Sequence, residues 1–399
     1  MRLAWAMPKF ELPPKPSGKQ IREQASKIGG RARSLAERAL NAADQRVVHP
    51  RVPLFYLAPE VVPAEPGVII RKQAVDTVLE ARSWRILYTT LDAAGQITTA
   101  SALLCLPKNT QESYDLIVYC HQATGVEQRC APSLHEKPAL ALAGVRQALS
   151  KGWAYLAPDY PGLGAEGVHP FLIGEPTAHS VLDAIKAVQT ATVAKINNKT
   201  ILWGYSQGGH AAAWAAGMAQ DYAPEVKLEG MVLGSPALDP GQLFQASMDS
   251  PISRVIWALS AVSWSRLTGM PLSSAIKPEA IASVRETAKH CFIGAEAIVG
   301  LSATDSMQGR PHSINPLQTE PFATMLQDNR APIELELPIL FVQGGKDLTV
   351  PPTQSREVVR QMKASGVQVD YIEHERFDHL TGERAVVRDA ISQIEKWWS

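Results

Sequence analysis

Gly204-Tyr205-Ser206-Gln207-Gly208 constrains this chain more than any other stretch, because of what flanks it. The apolar run Thr200-Ile201-Leu202-Trp203 leads in, and the small-residue run His210-Ala211-Ala212-Ala213-Trp214-Ala215-Ala216 leads out. The pentapeptide fits G-x-S-x-G set between a strand and a helix. So sharp a turn strains the backbone of its central residue and lifts the hydroxyl to the tip. Glycine is needed on both sides, because a Cβ there would collide with the neighbouring strand or helix. Glycine and serine are also common turn residues. Ser206 is therefore a candidate nucleophile on the strength of its context, not of the bare pattern.

The same alternation runs through most of the chain. Trp84 to Leu91 and Thr98 to Leu106 read as two early strands joined by a turn at Asp92-Ala93-Ala94-Gly95. Short apolar runs follow at Leu116–Tyr119, Trp153–Ala157, Ile201–Trp203, Met231–Leu233, Ile339–Val342 and Val369–Ile372, separated by helical stretches. Continuous apolar strands between helices indicate an α/β protein with a buried, mostly parallel central sheet flanked by helices. A last helix runs from about Glu383 to Trp398. The rhythm breaks between Asp239 and Ala331, where proline-rich helical patterns replace the strand series. An insertion there predicts an inserted helical cap over the carboxyl edge of the sheet. The expected organisation is an N-terminal arm and basic helical segment (1–65), the first part of the core (66–238), the cap (239–331) and the rest of the core (332–399).

Composition narrows the function classes. With 399 residues, 45% apolar and 20% charged, the chain can bury a substantial core. A formal net charge of zero gives no global attraction to nucleic acid. No apolar run reaches membrane-spanning length. Residues 1–18, with Pro8, Pro13, Pro14 and Pro16, read as an extended arm, and Pro8 and Lys9 interrupt any signal-peptide core. Residues 19–45 are basic and helical in composition, with a break at Gly29-Gly30. They carry few large apolar anchors, so a solvated helix pair is favoured over a membrane-surface segment. Cys105, Cys120, Cys130 and Cys291 are neither a disulfide framework nor a metal site by spacing. Cys105 and Cys120 lie in or at the ends of apolar strands and should be buried free thiols.

A serine hydroxyl needs a base, and the base needs a partner that fixes its tautomer. On a strand–turn–helix serine, acid and histidine follow in that chain order. Asp347, in Gly344-Gly345-Lys346-Asp347, comes directly after an apolar strand and is the favoured acid. Asp239 is the competing acid, and a turn-forming role is the plain alternative for Asp347. His379, in the loop before the terminal helix, is the favoured base over His374, which is nearer the strand; His210 reads as structural. An oxyanion needs backbone N–H donors. Gln207 is one candidate, and Ala123 or Thr124 in His121-Gln122-Ala123-Thr124-Gly125 is the other. Asp159-Tyr160-Pro161-Gly162-Leu163-Gly164 lacks the Lys-Ser or Lys-Thr of a phosphate loop and reads as a tight strand exit.

With these landmarks, and with Cys130-Ala131-Pro132-Ser133 after the candidate oxyanion loop, the chain resembles the secretory lipase family of α/β-hydrolases, lipase A type, over about residues 65–398. The resemblance implies an α/β-hydrolase fold and hydrolysis of carboxylic esters, including acylglycerols, without metal or organic cofactor. It implies small-molecule or lipid ester substrates, transient contact with a lipid interface, and export, although no export signal is visible in this sequence. It also implies a cap that forms an acyl tunnel, and a disulfide between the regions of Cys130 and Cys291. Trp257, Leu259, Val262, Trp264 and Leu267 in the cap would line an acyl pocket or form the cap's own core; the sequence leaves both open. The triad itself is equally compatible with an acyltransferase or a serine peptidase, and a catalytically inactive binding protein is the rival outside enzymes.

Overall fold

The computed structural model describes residues 52–399 apart from 78–80, 192, 247–250, 295, 305–306 and 308–310. The expected arm over residues 1–18 and helices over 19–45 lie outside the described residues.

Nine strands form one sheet in the order β1-β2-β3-β5-β4-β6-β7-β8-β9. They are β1 (Ile69–Ala74), β2 (Ala81–Leu91), β3 (Ile97–Pro107), β4 (Tyr114–Cys120), β5 (Ala154–Pro158), β6 (Ile196–Tyr205), β7 (Leu228–Gly234), β8 (Ile339–Gly344) and β9 (Val369–His374). The first three run antiparallel at one edge. From β5 across β4, β6, β7 and β8 to β9 every pairing is parallel. The β2–β3 turn is closed by Asp92, whose side chain accepts the backbone N–H groups of Ala94 and Gln96.

The parallel strands are apolar throughout because helices cover both faces. Alternate residues divide between the two sides. On one face Leu116, Val118, Leu202, Met231 and Leu233 pack with Val181, Leu182 and Ile185 of α2 (Gly174–Thr190) and the alanines of α3 (Gln207–Tyr222). On the other, Ile117, Tyr119, Ile201, Trp203 and Val232 meet Val145 and Ala148 of α1 (Val145–Ser150) and Val386, Ala390 and Ile394 of the terminal helix (Gly382–Trp398). Cys105 and Cys120 are buried free thiols. Tyr56 precedes the expected core boundary at residue 66 and is nonetheless fully buried, with its hydroxyl 2.8 Å from Ser133 Oγ.

Between β7 and β8 the described residues are helical: α4 (Pro240–Ala246), α5 (Pro251–Thr268), α6 (Ile281–Ala288), α7 (Glu296–Ala303) and α8 (Phe322–Asp328), with one isolated bridge from Ile276 to His312. Trp257, Leu259, Val262 and Trp264 of α5 are buried in an apolar cluster built mostly from this insertion, which Val126, Phe171, Leu172 and Val350 of the core join. Trp257 and Trp264 also line a small pocket with Phe244, Leu272, Ile276 and Phe322, whose lining does not include Ser206, His379 or Asp347. Leu267 is only partly buried. After β8 come α9 (Pro352–Ala364) and, following β9, α10 (Gly382–Trp398). Among the described residues, no helix is long and apolar enough to cross a membrane.

Candidate active site

Ser206 stands between β6 and α3 with φ 56° and ψ −119°, a conformation that L side chains rarely adopt. Neighbouring backbone holds it there. Ser206 N–H donates to Gly234 O (2.9 Å), and its carbonyl accepts from Gly209 (2.9 Å) and Ala237 (3.0 Å). The surrounding glycines have no room for a side chain. A Cβ on Gly204 would lie 2.1 Å from Gly208 O, on Gly208 1.8 Å from Cys120 O, and on Gly209 2.3 Å from Pro236 Cβ.

The structure brings Ser206, His379 and Asp347 into one chain of contacts. Ser206 Oγ is 2.8 Å from His379 Nε2, and His379 Nδ1 is 2.7 Å from Asp347 Oδ2. All three are buried. The other oxygen of Asp347 accepts the backbone N–H groups of Thr349 (2.9 Å) and Val350 (2.8 Å), which leaves Oδ2 turned to the histidine. His379 is fixed from a second side, because Tyr205 of the pentapeptide donates its hydroxyl to His379 O at 2.6 Å. Each side chain comes from just beyond the carboxyl end of a strand: β6, β8 and β9.

The rival residues have other partners. Asp239 Oδ1 accepts from Gln242 N (3.1 Å) at the start of α4, and its second oxygen pairs with Arg330 (3.1 Å). His374 lies in β9 with Nε2 2.6 Å from Asp389. His210 Nε2 donates to Asn329 O at 2.8 Å, deep in a site where burial pushes its pKa down to about 4.

Gln207 is the first residue of α3, so its backbone N–H has no acceptor within the helix. The loop after β4 abuts this helix end, as the contact of Gly208 with the Cys120 and His121 carbonyls requires. Ala123 in that loop packs against the insertion's apolar cluster, and Thr124 is buried. Thr124 O accepts from Phe292 N (2.8 Å), which joins the loop to the insertion. Beside that bond Cys130 and Cys291 form a disulfide with Cα atoms 5.1 Å apart. The Arg129 guanidinium spans the same junction, donating to Glu296 (2.6 and 2.9 Å) and to Lys289 O (2.5 Å). Replacing both cysteines by serine reopens a loop spanning 161 positions. The expected cost is roughly 2–5 kcal/mol of unfolding free energy. Urea titration of the non-reduced protein checks this, and an unchanged midpoint would show that the polar contacts suffice alone.

Two parts of the site carry no pattern in the sequence. Tyr205 is one, since the variable positions of G-x-S-x-G do not announce a contact with His379. The other is His169, in the loop after β5, whose Nε2 lies 3.2 Å from Gln207 Nε2. The glycine-rich turn ahead of it is a tight strand exit: a Cβ on Gly162, at φ 75°, would lie 2.2 Å from His169 N. Asp159 at the head of that turn is buried and accepts from Ser101 Oγ (2.7 Å), Ser133 Oγ (2.5 Å) and Ser133 N (2.9 Å), which anchors the Cys130–Ser133 segment.

A family model described as secretory lipase matches residues 139–399. A probable inactive lipase of Mycobacterium tuberculosis is 31% identical over 224 residues, 50% of this chain and 49% of that protein. Lipase 6 of Candida albicans is 30% identical over 203 residues, 45% of this chain and 43% of that protein. The chain thus spans about half the length of the relatives it matches. Among solved structures, the closed state of Candida antarctica lipase A is similar with a TM-score of 0.73 at 19% identity, covering 87% of this chain and 86% of that one. The fold is that of the α/β-hydrolases.

Proposed function

The chain belongs to the secretory lipase family, and from that premise we propose that it is a serine hydrolase of carboxylic esters, with acylglycerols among its substrates. The observation that carries this reading is the unbroken contact from Ser206 Oγ through His379 to Asp347. In the proposed mechanism His379 Nε2 takes the Ser206 proton as Oγ attacks the ester carbonyl. Asp347 holds the imidazole in the tautomer with its proton on Nδ1 and stabilises the imidazolium. The tetrahedral oxyanion receives N–H groups from Gln207 and from Ala123 or Thr124. His379 then returns the proton to the leaving alcohol, and water repeats the cycle on the acyl-enzyme. Residues 239–331 act as the cap that encloses the acyl group. Family membership supports export and contact with lipid ester substrates.

The test is a series of p-nitrophenyl esters of increasing acyl length, run with and without an added alcohol. Hydrolysis that dominates over transfer to the alcohol is the expected result. Dominant transfer would make the protein an acyltransferase on the same triad. One relative's description as inactive favours a second reading, a binding protein on a hydrolase fold. The assembled Ser206–His379–Asp347 contact weighs against it, and no turnover of any ester would establish it.

A further inference from the structure

Resting on the ester hydrolase reading, we propose that His169 is the positioning residue that holds Gln207, and with it the oxyanion donor, and that it braces this donor against the cap helix. Three groups of contacts meet at His169. Its Nδ1 lies 3.1 Å from Pro161 O. A carbonyl can only accept, so Nδ1 carries the ring proton and Nε2 is bare. Gln207 Nε2 at 3.2 Å must therefore be the donor, which fixes the orientation of the amide. The other end of that amide, Oε1, is buried with no hydrogen-bond partner among the described residues, so among them His169 is the sole tether of the Gln207 side chain.

The tether needs a neutral imidazole at every working pH. Burial supplies it, pushing the His169 pKa down to about 3. The ring is also held flat, stacked at 6.0 Å on Tyr160, which itself stacks at 4.3 Å on His121 at the head of the candidate oxyanion loop. One aromatic row thus supports both sources of oxyanion donors.

The backbone of His169 is held from above. Ser263 Oγ of α5 donates to His169 O at 2.6 Å and accepts from Phe171 N at 3.1 Å. Trp264 Nε1, next along the same helix, donates to Phe171 O at 2.9 Å. The insertion therefore grips the 169–171 loop, the loop grips Gln207, and Gln207 begins α3 directly after the strained Ser206. Displacing a reacting group by about 1 Å costs on the order of 10²-fold in rate, and losing one oxyanion donor costs about 10²–10³. A loosened Gln207 should fall at or below the lower end.

The experiment compares two replacements in the full chain, each first checked by its thermal melt, with p-nitrophenyl butyrate as substrate. His169→Phe keeps a ring on Tyr160 and removes both nitrogens; kcat should fall about 10–100-fold with KM held within about twofold. His169→Gln restores an acceptor toward Gln207 and should recover most of the lost kcat. A Gln variant as poor as the Phe variant, or a loss confined to KM, overturns the role. If the Phe variant does not fold, Gln207→Met carries the test: a tenfold or larger loss of kcat supports the tether, and a kcat within about twofold of wild type overturns it. In the double variant, losses that do not add mark His169 and Gln207 as one unit, and additive losses break the claim. A wild-type protein without esterase activity overturns both readings; wild-type activity with unchanged His169 variants overturns only this one.

Discussion

Ser206→Ala is expected to lose ester hydrolysis by about 10⁴-fold or more while keeping the wild-type melting behaviour. The size of the effect follows from what remains. His379 and Asp347 would still form their pair, and the Gln207 N–H, the proposed oxyanion donor, would remain, but no atom could form the acyl-enzyme. The residual rate would come from binding and electrostatic stabilisation of direct attack by water. The fold should survive because the strained turn is held by backbone: Ser206 N–H to Gly234 O, and the Ser206 carbonyl to Gly209 and Ala237. Alanine at φ 56° meets the same steric cost as serine. The lost hydroxyl contact with His379 concerns one hydrogen bond, on the order of 1 kcal/mol. A fluorophosphonate probe gives the second readout. It should label wild type at Ser206 and leave the variant unlabelled. Labelling that persists on another serine, with hydrolysis near the wild-type rate, would move the nucleophile elsewhere.

What the sequence made legible, and what it hid, divides along physical lines. The parallel strands could be read because strands buried on both faces are apolar without interruption, as in Leu116–Tyr119 and Ile339–Val342. Their ends could not. Strand β6 begins at Ile196 and runs through the part-buried Asn197 and the exposed Asn198 and Lys199 before it is buried without interruption from Thr200. Strand β1 carried no readable strand signal in the sequence, because Ile-Ile-Arg-Lys-Gln-Ala at an edge is half-exposed and shows no alternation. The contact among Ser206, His379 and Asp347 was legible because each follows a strand, and parallel strands deliver their loops to one edge. The tie between His169 and Gln207 was not. It joins positions 38 apart through a loop with no periodicity, and nothing local in either segment requires it. The Cys130–Cys291 bridge was reached through family resemblance, since spacing alone gives no pairing. In the insertion, Trp257 illustrates why its role stayed open. A buried aromatic on a helix reads the same whether it fills a core or lines an acyl pocket; the structure buries this one in an apolar cluster.

Asp347→Asn should cost roughly 10³–10⁴ in kcat, whereas Asp239→Asn should change it by less than about tenfold. The contrast rests on geometry. Asp347 uses one oxygen for the N–H groups of Thr349 and Val350 and the other for His379 Nδ1. Asparagine would keep its single carbonyl oxygen on the two backbone donors, because turning it away would leave both N–H groups buried and unpaired. Its NH₂ then faces Nδ1 and can only donate. The imidazole must answer with a bare Nδ1 and a proton on Nε2, the nitrogen that should receive the proton of Ser206. The base is thus in the wrong tautomer, and the negative charge that would stabilise the imidazolium is gone as well. Neither loss disturbs substrate binding directly, so KM should stay close to wild type while kcat falls. Asp239 offers no such route. Its oxygens cap the start of α4 and pair with Arg330, and a substitution there should appear in stability before rate. Steady-state kinetics on both variants, with melting curves alongside, decides between the two carboxylates. A large kcat loss in Asp239→Asn beside a mild one in Asp347→Asn would transfer the acid to the loop after β7 and leave the short His379–Asp347 contact without a catalytic role.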